Sequence, residues 1–199
     1  MLTLNCFNDM KKIDAKDFTQ ALETTHTTVS TPQDIRSIGR VMQLIGKDWM
    51  LVTAGTPSGF NTMTASWGGL GWLWNKPVAF VFVRPERYTH SFIDANGRLT
   101  LSFYTEQYRK ALQLCGSRSG RNTDKPAEAG LTPFVLDSGT VSFQQASLTL
   151  DCRLLFRTEM EAANFLDETI LNRWYGAAQG GLHTVYVAEV EALYTQEPS

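Results

Sequence analysis

Asn61-Thr-Met-Thr-Ala-Ser-Trp-Gly-Gly69, then Val78-Ala-Phe-Val-Phe-Val83 and Arg84-Pro-Glu-Arg-Tyr-Thr89, is the stretch on which the fold turns. The first piece alternates and reads as extended chain, with Gly68, Gly69 and Gly71 expected to break it. The second is short and continuously apolar, the pattern of a strand buried on both faces. Arg84-Pro85 ends it. Thr89 is placed to cap a short helix over 89–95, stopped by Asn96-Gly97.

Working outward, Trp49-Met-Leu-Val-Thr53 reads as a strand closed by Gly55 and the turn Pro57-Ser-Gly59. Further strands are expected over 99–104, 141–143, 146–156 and 183–193. Helices are expected over 106–114, with Tyr108, Ala111, Leu112 and Cys115 on one side, and over 164–174. A loop covers 116–121, and one helical turn, 127–129, ends at Gly130. Strands with hairpin-like spacing and few helices make the chain mainly β with flanking helices, a closed or nearly closed antiparallel barrel. A doubly wound parallel sheet would need regular strand–helix alternation. Residues 1–40 differ, being rich in Thr, Ser, Asp, Gln and Lys. They read as an N-terminal extension on the surface or on a partner subunit, with the dense domain over 41–199. Met10-Lys-Lys12 has the look of a natural start, which would make residues 1–9 an upstream addition.

The 199 residues suffice for one domain burying roughly 70% of its unfolded surface without staples. Apolar residues at 43% and charged residues at 19% give a globular composition. A net charge of −2 argues against a general nucleic-acid binder. Cys6, Cys115 and Cys152 show neither metal-type spacing nor an even framework, so a reducing cytoplasm is expected. The uncharged run 61–75 is too polar and glycine-broken to span a membrane, and no signal peptide is read. His26, His90 and His183 show no metal-ligand spacing.

Three segments carry candidate chemistry. In 61–66, Thr62, Thr64 and Ser66 share one face of an extended chain, and small residues allow a flat ligand to approach the backbone. Taken alone, these hydroxyls are better explained by a solvated strand face. Arg84 and Arg87 offer forked donors, and Thr89 opens a helix, a combination suited to phosphate; an ordinary surface turn is the alternative. The loop Cys115-Gly-Ser-Arg-Ser-Gly-Arg121, with Lys125 behind it, could close on a phosphate or ring edge but is not a P-loop. Cys115 reads as a packed thiol. Trp67, Trp72 and Trp74 on glycine-broken chain suggest a subunit interface or a ring-stacking pocket.

Taken together, residues 61–69, 74–77, 84–89, 115–121, 128–133 and 164–175 resemble the flavin reductase-like FMN-binding family, in its flavoredoxin-type branch. The resemblance runs from about 45 to 191. It implies a split β-barrel with Greek-key strands, working as a homodimer with FMN near the interface. It further implies that Asn61, Thr62, Met63, Thr64, Ala65, Ser66 and Trp67 lie along the flavin. Arg84, Arg87, Tyr88 and Thr89 would sit toward the phosphate, with Gly116, Ser117, Ser119 and Arg121 closing the site. NADH or NADPH is the implied electron donor, with a small-molecule or protein acceptor, and no side chain is required as acid or base. His183-Thr-Val-Tyr186 departs from the His-x-Met-Tyr pattern of such relatives. An FMN-carrying electron-transfer protein with little turnover is the alternative to a reductase.

Overall fold

Period-two runs of β-branched and aromatic residues set the architecture. The computed structural model describes residues 10–17, 39–176 and 179–196. Its strands are β1 (Met10–Asp14), β2 (Met50–Thr56), β3 (Gly59–Ala65), β4 (Gly68–Leu73), β5 (Lys76–Val83), β6 (Arg98–Phe103), β7 (Pro133–Val135), β8 (Val141–Phe143), β9 (Leu148–Glu159) and β10 (Thr184–Gln196). The α-helices that bear on the site are α1 (Tyr88–Asn96), α2 (Arg109–Ser117), α3 (Lys125–Glu128) and α4 (Glu168–Trp174). One antiparallel sheet runs β3-β2-β6-β9-β10-β5-β4, with β1 also on β10, and β7-β8 forms a separate pair. β3 and β4 end the path unpaired with each other among the described residues, so this is a split barrel rather than a closed one.

The core follows from the pattern. Val52, Val81, Val83, Leu99, Leu101, Phe103, Cys152 and Tyr186 fill the barrel, and Ile93 of α1 joins them. α2 lays Ala111, Leu112 and Cys115 against Leu51, Tyr104 and Phe143, forming a second cluster. α1 ends where expected: Gly97 adopts a left-handed φ of 63°, and its N–H returns to the Ile93 carbonyl.

Several elements differ from the sequence reading. Gly68, Gly69 and Gly71 do not break the chain; they form β4, paired with β5 through a tight turn at Trp74 and Asn75, both at positive φ. The glycines leave room for Phe80, whose ring would lie 3.3 Å from a Cβ at position 71. Part of the extension, Met10–Asp14, is a strand on the far half of β10, continuing the rank that β5 occupies on its near half. β7 is also new. The helix expected over 106–114 is a 3-10 turn at Glu106–Tyr108 followed by α2, which runs on to Ser117. The helix expected over 164–174 is a 3-10 turn at Ala162–Asn164, then α4. The remainder of 1–40, with Cys6 and His26, lies outside the described residues.

Candidate functional site

β3 decides the site because its two faces do different work. Asn61, Met63 and Ala65 are buried on one face, and Asn61 Nδ2 donates to Thr89 Oγ1 at 2.7 Å, tying β3 to α1. On the other face the three hydroxyls do not act together. Thr62 is fully buried and shares a 2.8 Å hydrogen bond with Thr53. Thr64 Oγ1 donates to the Leu112 carbonyl of α2 at 2.5 Å. Ser66 keeps its hydroxyl for the groove beyond the strand end, where Trp67 is exposed. The alternation was legible, but the partners Thr53 and Leu112 come from elements that only the fold brings near. Thr64→Val should therefore weaken the ligand-free protein itself, by about 1 kcal/mol, through the lost bond to α2. Thermal unfolding without added ligand checks this, with a drop of roughly 2–4 °C expected.

The turn 84–89 splits its arginines between two tasks. Arg84 donates to the backbone carbonyls of Gln179, of Gly181 at 3.2 Å and of Trp174 at 2.9 Å, so it clasps the segment after α4. Beside it, the Glu86 carboxylate accepts the Gly181 N–H at 2.6 Å, which holds its pKa below the usual range. Arg87, not Thr89, is the N-cap of α1, and no side chain caps that helix. Arg87 Nη2 is buried and has no hydrogen-bond partner among the described residues. Burial and the neighbouring Arg84 push its pKa down.

The loop after α2 completes the arrangement. Gly116 lets α2 sit on β3, since a Cβ there would lie 3.3 Å from Thr64 Cβ. Gly120 presses on Asn61, where a Cβ would fall 1.8 Å from Oδ1. Ser117 and Ser119 are exposed on the rim, and the Ser119 hydroxyl accepts the Arg121 N–H. Arg121 donates to the Glu86 carbonyl and lies 4.7 Å over the Tyr88 ring. Lys125, only 2% exposed, donates to the Cys115 carbonyl at 3.2 Å, and burial lowers its pKa to about 8.

Three adjoining hollows follow β3. One, of about 200 Å³, is lined by Met63, Ala65, Ser66, Trp67, Arg84, Arg87 and His183. A cup of about 190 Å³ is lined by Asn61, Arg87, Tyr88, Thr89, residues 116–121 and Lys125. A third, of about 440 Å³, runs from Trp49 past Thr64 and Ser66 to Gly116 and Ser117. Arg87 joins the first two, and Gly116 and Ser117 join the last two. Four cations, Arg87, Arg118, Arg121 and Lys125, line the cup, whose Glu86 carboxylate is already engaged. Such a cup can hold a dianion. Arg84, expected at the phosphate end, lines the first hollow but not the cup.

Lys125, which the sequence places only behind the loop 116–121, joins the cup itself, and Glu86 and Tyr175 carry roles that no spacing pointed to. His183 is nearly buried; Nδ1 meets the Tyr175 hydroxyl at 2.9 Å, and Trp67 packs 5.3 Å away, with Trp174 beyond. Burial, then Arg84, lowers its pKa to about 4, so the imidazole is neutral at neutral pH. His183 sits more than a hundred residues from Trp67, and no spacing rule connects the two.

An open antiparallel barrel with a cationic cup beside a strand of small residues defines the class: a split-barrel domain. The chain belongs to the family of the flavin reductase like domain, whose profile matches residues 42–199. Solved structures of similar fold include flavoredoxin from Methanosarcina acetivorans, 23% identical with a TM-score of 0.58, covering 75% of this chain and 69% of that one. The FMN-binding protein from Thermus thermophilus is 22% identical with a TM-score of 0.58, covering 75% and 70%. Nitrilotriacetate monooxygenase component B from Bacillus cereus is 16% identical with a TM-score of 0.59, covering 87% and 84%. No match was found among curated proteins. No helix among the described residues is long and apolar enough to cross a membrane.

Proposed function

We propose that this protein binds FMN and works as a reductase, taking reducing equivalents from NADH or NADPH and passing them to a small-molecule or protein acceptor. One observation carries the reading: the buried, unpartnered Nη2 of Arg87 at the mouth of a cup that also holds Arg121 and Lys125. A guanidinium in that state lacks an anion, and the phosphate of FMN supplies one. Family membership makes a flavin the natural bearer of that phosphate. The ring would then lie along residues 63–67 in the adjoining hollow, between β3 and His183, with Trp67 at its edge. Held by Arg87, Arg121 and Lys125, FMN would supply the redox chemistry, taking a hydride equivalent from a nicotinamide and handing electrons to the acceptor. The protein's own residues bind, orient and exclude water; none is assigned as acid or base.

A homodimer is part of the proposal. Trp67, Trp72 and Trp74 are 38%, 48% and 55% exposed, more indole surface than a monomer normally leaves to water. Light scattering on the FMN-loaded protein should give twice the mass of one chain.

The decisive experiment adds FMN to the purified protein and then NADH or NADPH without oxygen. Fast bleaching of the yellow colour is the expected result. Bleaching only by dithionite would replace the reductase with an electron carrier. Affinity should also follow pH. Above about pH 8 Lys125 loses its proton and the cup one charge, so FMN binding weakens. Below about pH 6 the phosphate becomes a monoanion, and binding weakens again. Riboflavin, titrated over the same range, should show a flat profile.

A further inference from the structure

Lys125 is the one buried lysine among the described residues. It lines the cup with Arg87, Arg118 and Arg121. Its side chain donates to the Cys115 carbonyl at 3.2 Å and pairs with no carboxylate among the described residues. We propose that Lys125 is an acylation site: a small acyl phosphate seats its phosphate among the arginines of the cup, hands its acyl group to Nζ, and so closes the cup to FMN. The effect on FMN rests on the flavin reading of this site.

Burial decides what can reach the amine. A modifying enzyme has almost no lysine surface to approach, so the donor must be small enough to enter a space of about 190 Å³. Charge decides what enters. Three arginines line that space, and the Glu86 carboxylate beside them already holds the Gly181 N–H, so a phosphate-bearing donor is drawn in and oriented. An acyl phosphate carries its leaving group at the end that the arginines bind. The amine attacks only without its proton. Burial, with Arg87 adding to it, lowers the Lys125 pKa to about 8, while the Cys115 thiol works the other way, so a usable fraction is free amine near neutral pH. The thiol itself is pushed up to about 11 by burial and does not compete as thiolate. A free amine that still gives one N–H to the Cys115 carbonyl turns its lone pair away from that carbonyl. In the step, Nζ bonds to the acyl carbon and the bond from that carbon to the phosphate oxygen breaks. Inorganic phosphate leaves with the electron pair and takes the amine proton. The product is a neutral amide, and nothing is oxidised or reduced. The cup has then lost one charge and gained bulk. FMN in place excludes the donor, so acylation reaches only protein without flavin.

The test incubates the full chain, before FMN is added, with acetyl phosphate and follows each lysine by peptide mass spectrometry. Lys125 should be acetylated on the order of tenfold faster than the exposed Lys11, Lys47 and Lys110. Inorganic phosphate, FMN or the substitution Arg121→Ala should each remove that lead and leave the surface lysines as they were. Acetic anhydride, which carries no phosphate, should favour the surface lysines instead. Acetylated native protein should bind FMN roughly tenfold more weakly, whereas Lys125→Arg, treated in the same way, should keep its untreated affinity. If Lys125 reacts no faster than the surface lysines, or keeps its lead in inorganic phosphate or with acetic anhydride, the proposal is overturned. Acetylation of Lys125 with undiminished FMN affinity overturns the closing of the cup. If inorganic phosphate protects Lys125 while FMN neither protects it nor binds, the acylation site stands and the flavin reading falls.

Discussion

Arg87→Ala is expected to weaken FMN by roughly tenfold to a hundredfold, the effect of losing one charge-assisted hydrogen bond of about 1.5–3 kcal/mol. Riboflavin, which lacks the phosphate, should change far less. The same substitution should not destabilise the ligand-free protein. Arg87 is half-buried, and its buried Nη2 has no partner among the described residues, so removing the charge relieves part of a desolvation cost. The two readouts therefore move in opposite directions: FMN affinity falls while the ligand-free melting temperature holds or rises. Isothermal titration with both flavins and a melting curve decide the matter. Equal losses of FMN and riboflavin, or a fall in ligand-free melting temperature, would make Arg87 a structural residue and leave the cup without a phosphate role.

The second large effect concerns acid. His183 titrates near 6.5 in the unfolded chain and about 4 in the folded one. Its folded pKa is depressed, so the unfolded state takes up its proton first. Stability is thus intact above pH 6.5 and falls as the pH drops from there to about 4. A gap of this size corresponds to about 3 kcal/mol. The groups facing the imidazole are the Tyr175 hydroxyl, the Arg84 guanidinium and the Glu86 carboxylate, and only Glu86 favours the proton. His183→Gln should flatten this part of the profile. Denaturant unfolding at pH 7 and pH 4.5, native against variant, measures it. Unchanged pH dependence in the variant would show that His183 protonates freely in the folded state.

Much of the fold could be read because apolar runs such as 78–83 and 99–104 leave little choice of element, and Gly97 marks its helix end by its lack of a side chain. The glycines of β4 misled because glycine both breaks strands and makes space for a ring, and only Phe80, across the hairpin, decides which. β1 escaped notice because its five residues gain their hydrogen bonds from β10, at the opposite end of the chain. In the site, the segments were legible but their internal division was not. Arg84 and Arg87 look alike in sequence; the carbonyls that claim Arg84 lie some ninety residues away. The hydroxyl stripe looked uniform until Thr53 and Leu112 took two of its members. Lys125 was visible only as a lysine behind the loop 116–121; its burial depends on how α3 packs beside α2, which no spacing shows.

Gly116 and Gly120 give the protein two positions where accessibility is a poor guide to tolerance. Solvent reaches both in part, yet one seats a helix on a strand and the other touches the Asn61 amide with no space for a methyl group. In a complete substitution scan they should score with the interior, while the serines between and beside them, Ser117 and Ser119, accept most replacements so far as folding is concerned. Over evolutionary time such a loop can vary its chemistry at every second or third residue and still keep one shape. Its chemical vocabulary is free only where its backbone stands clear of its neighbours.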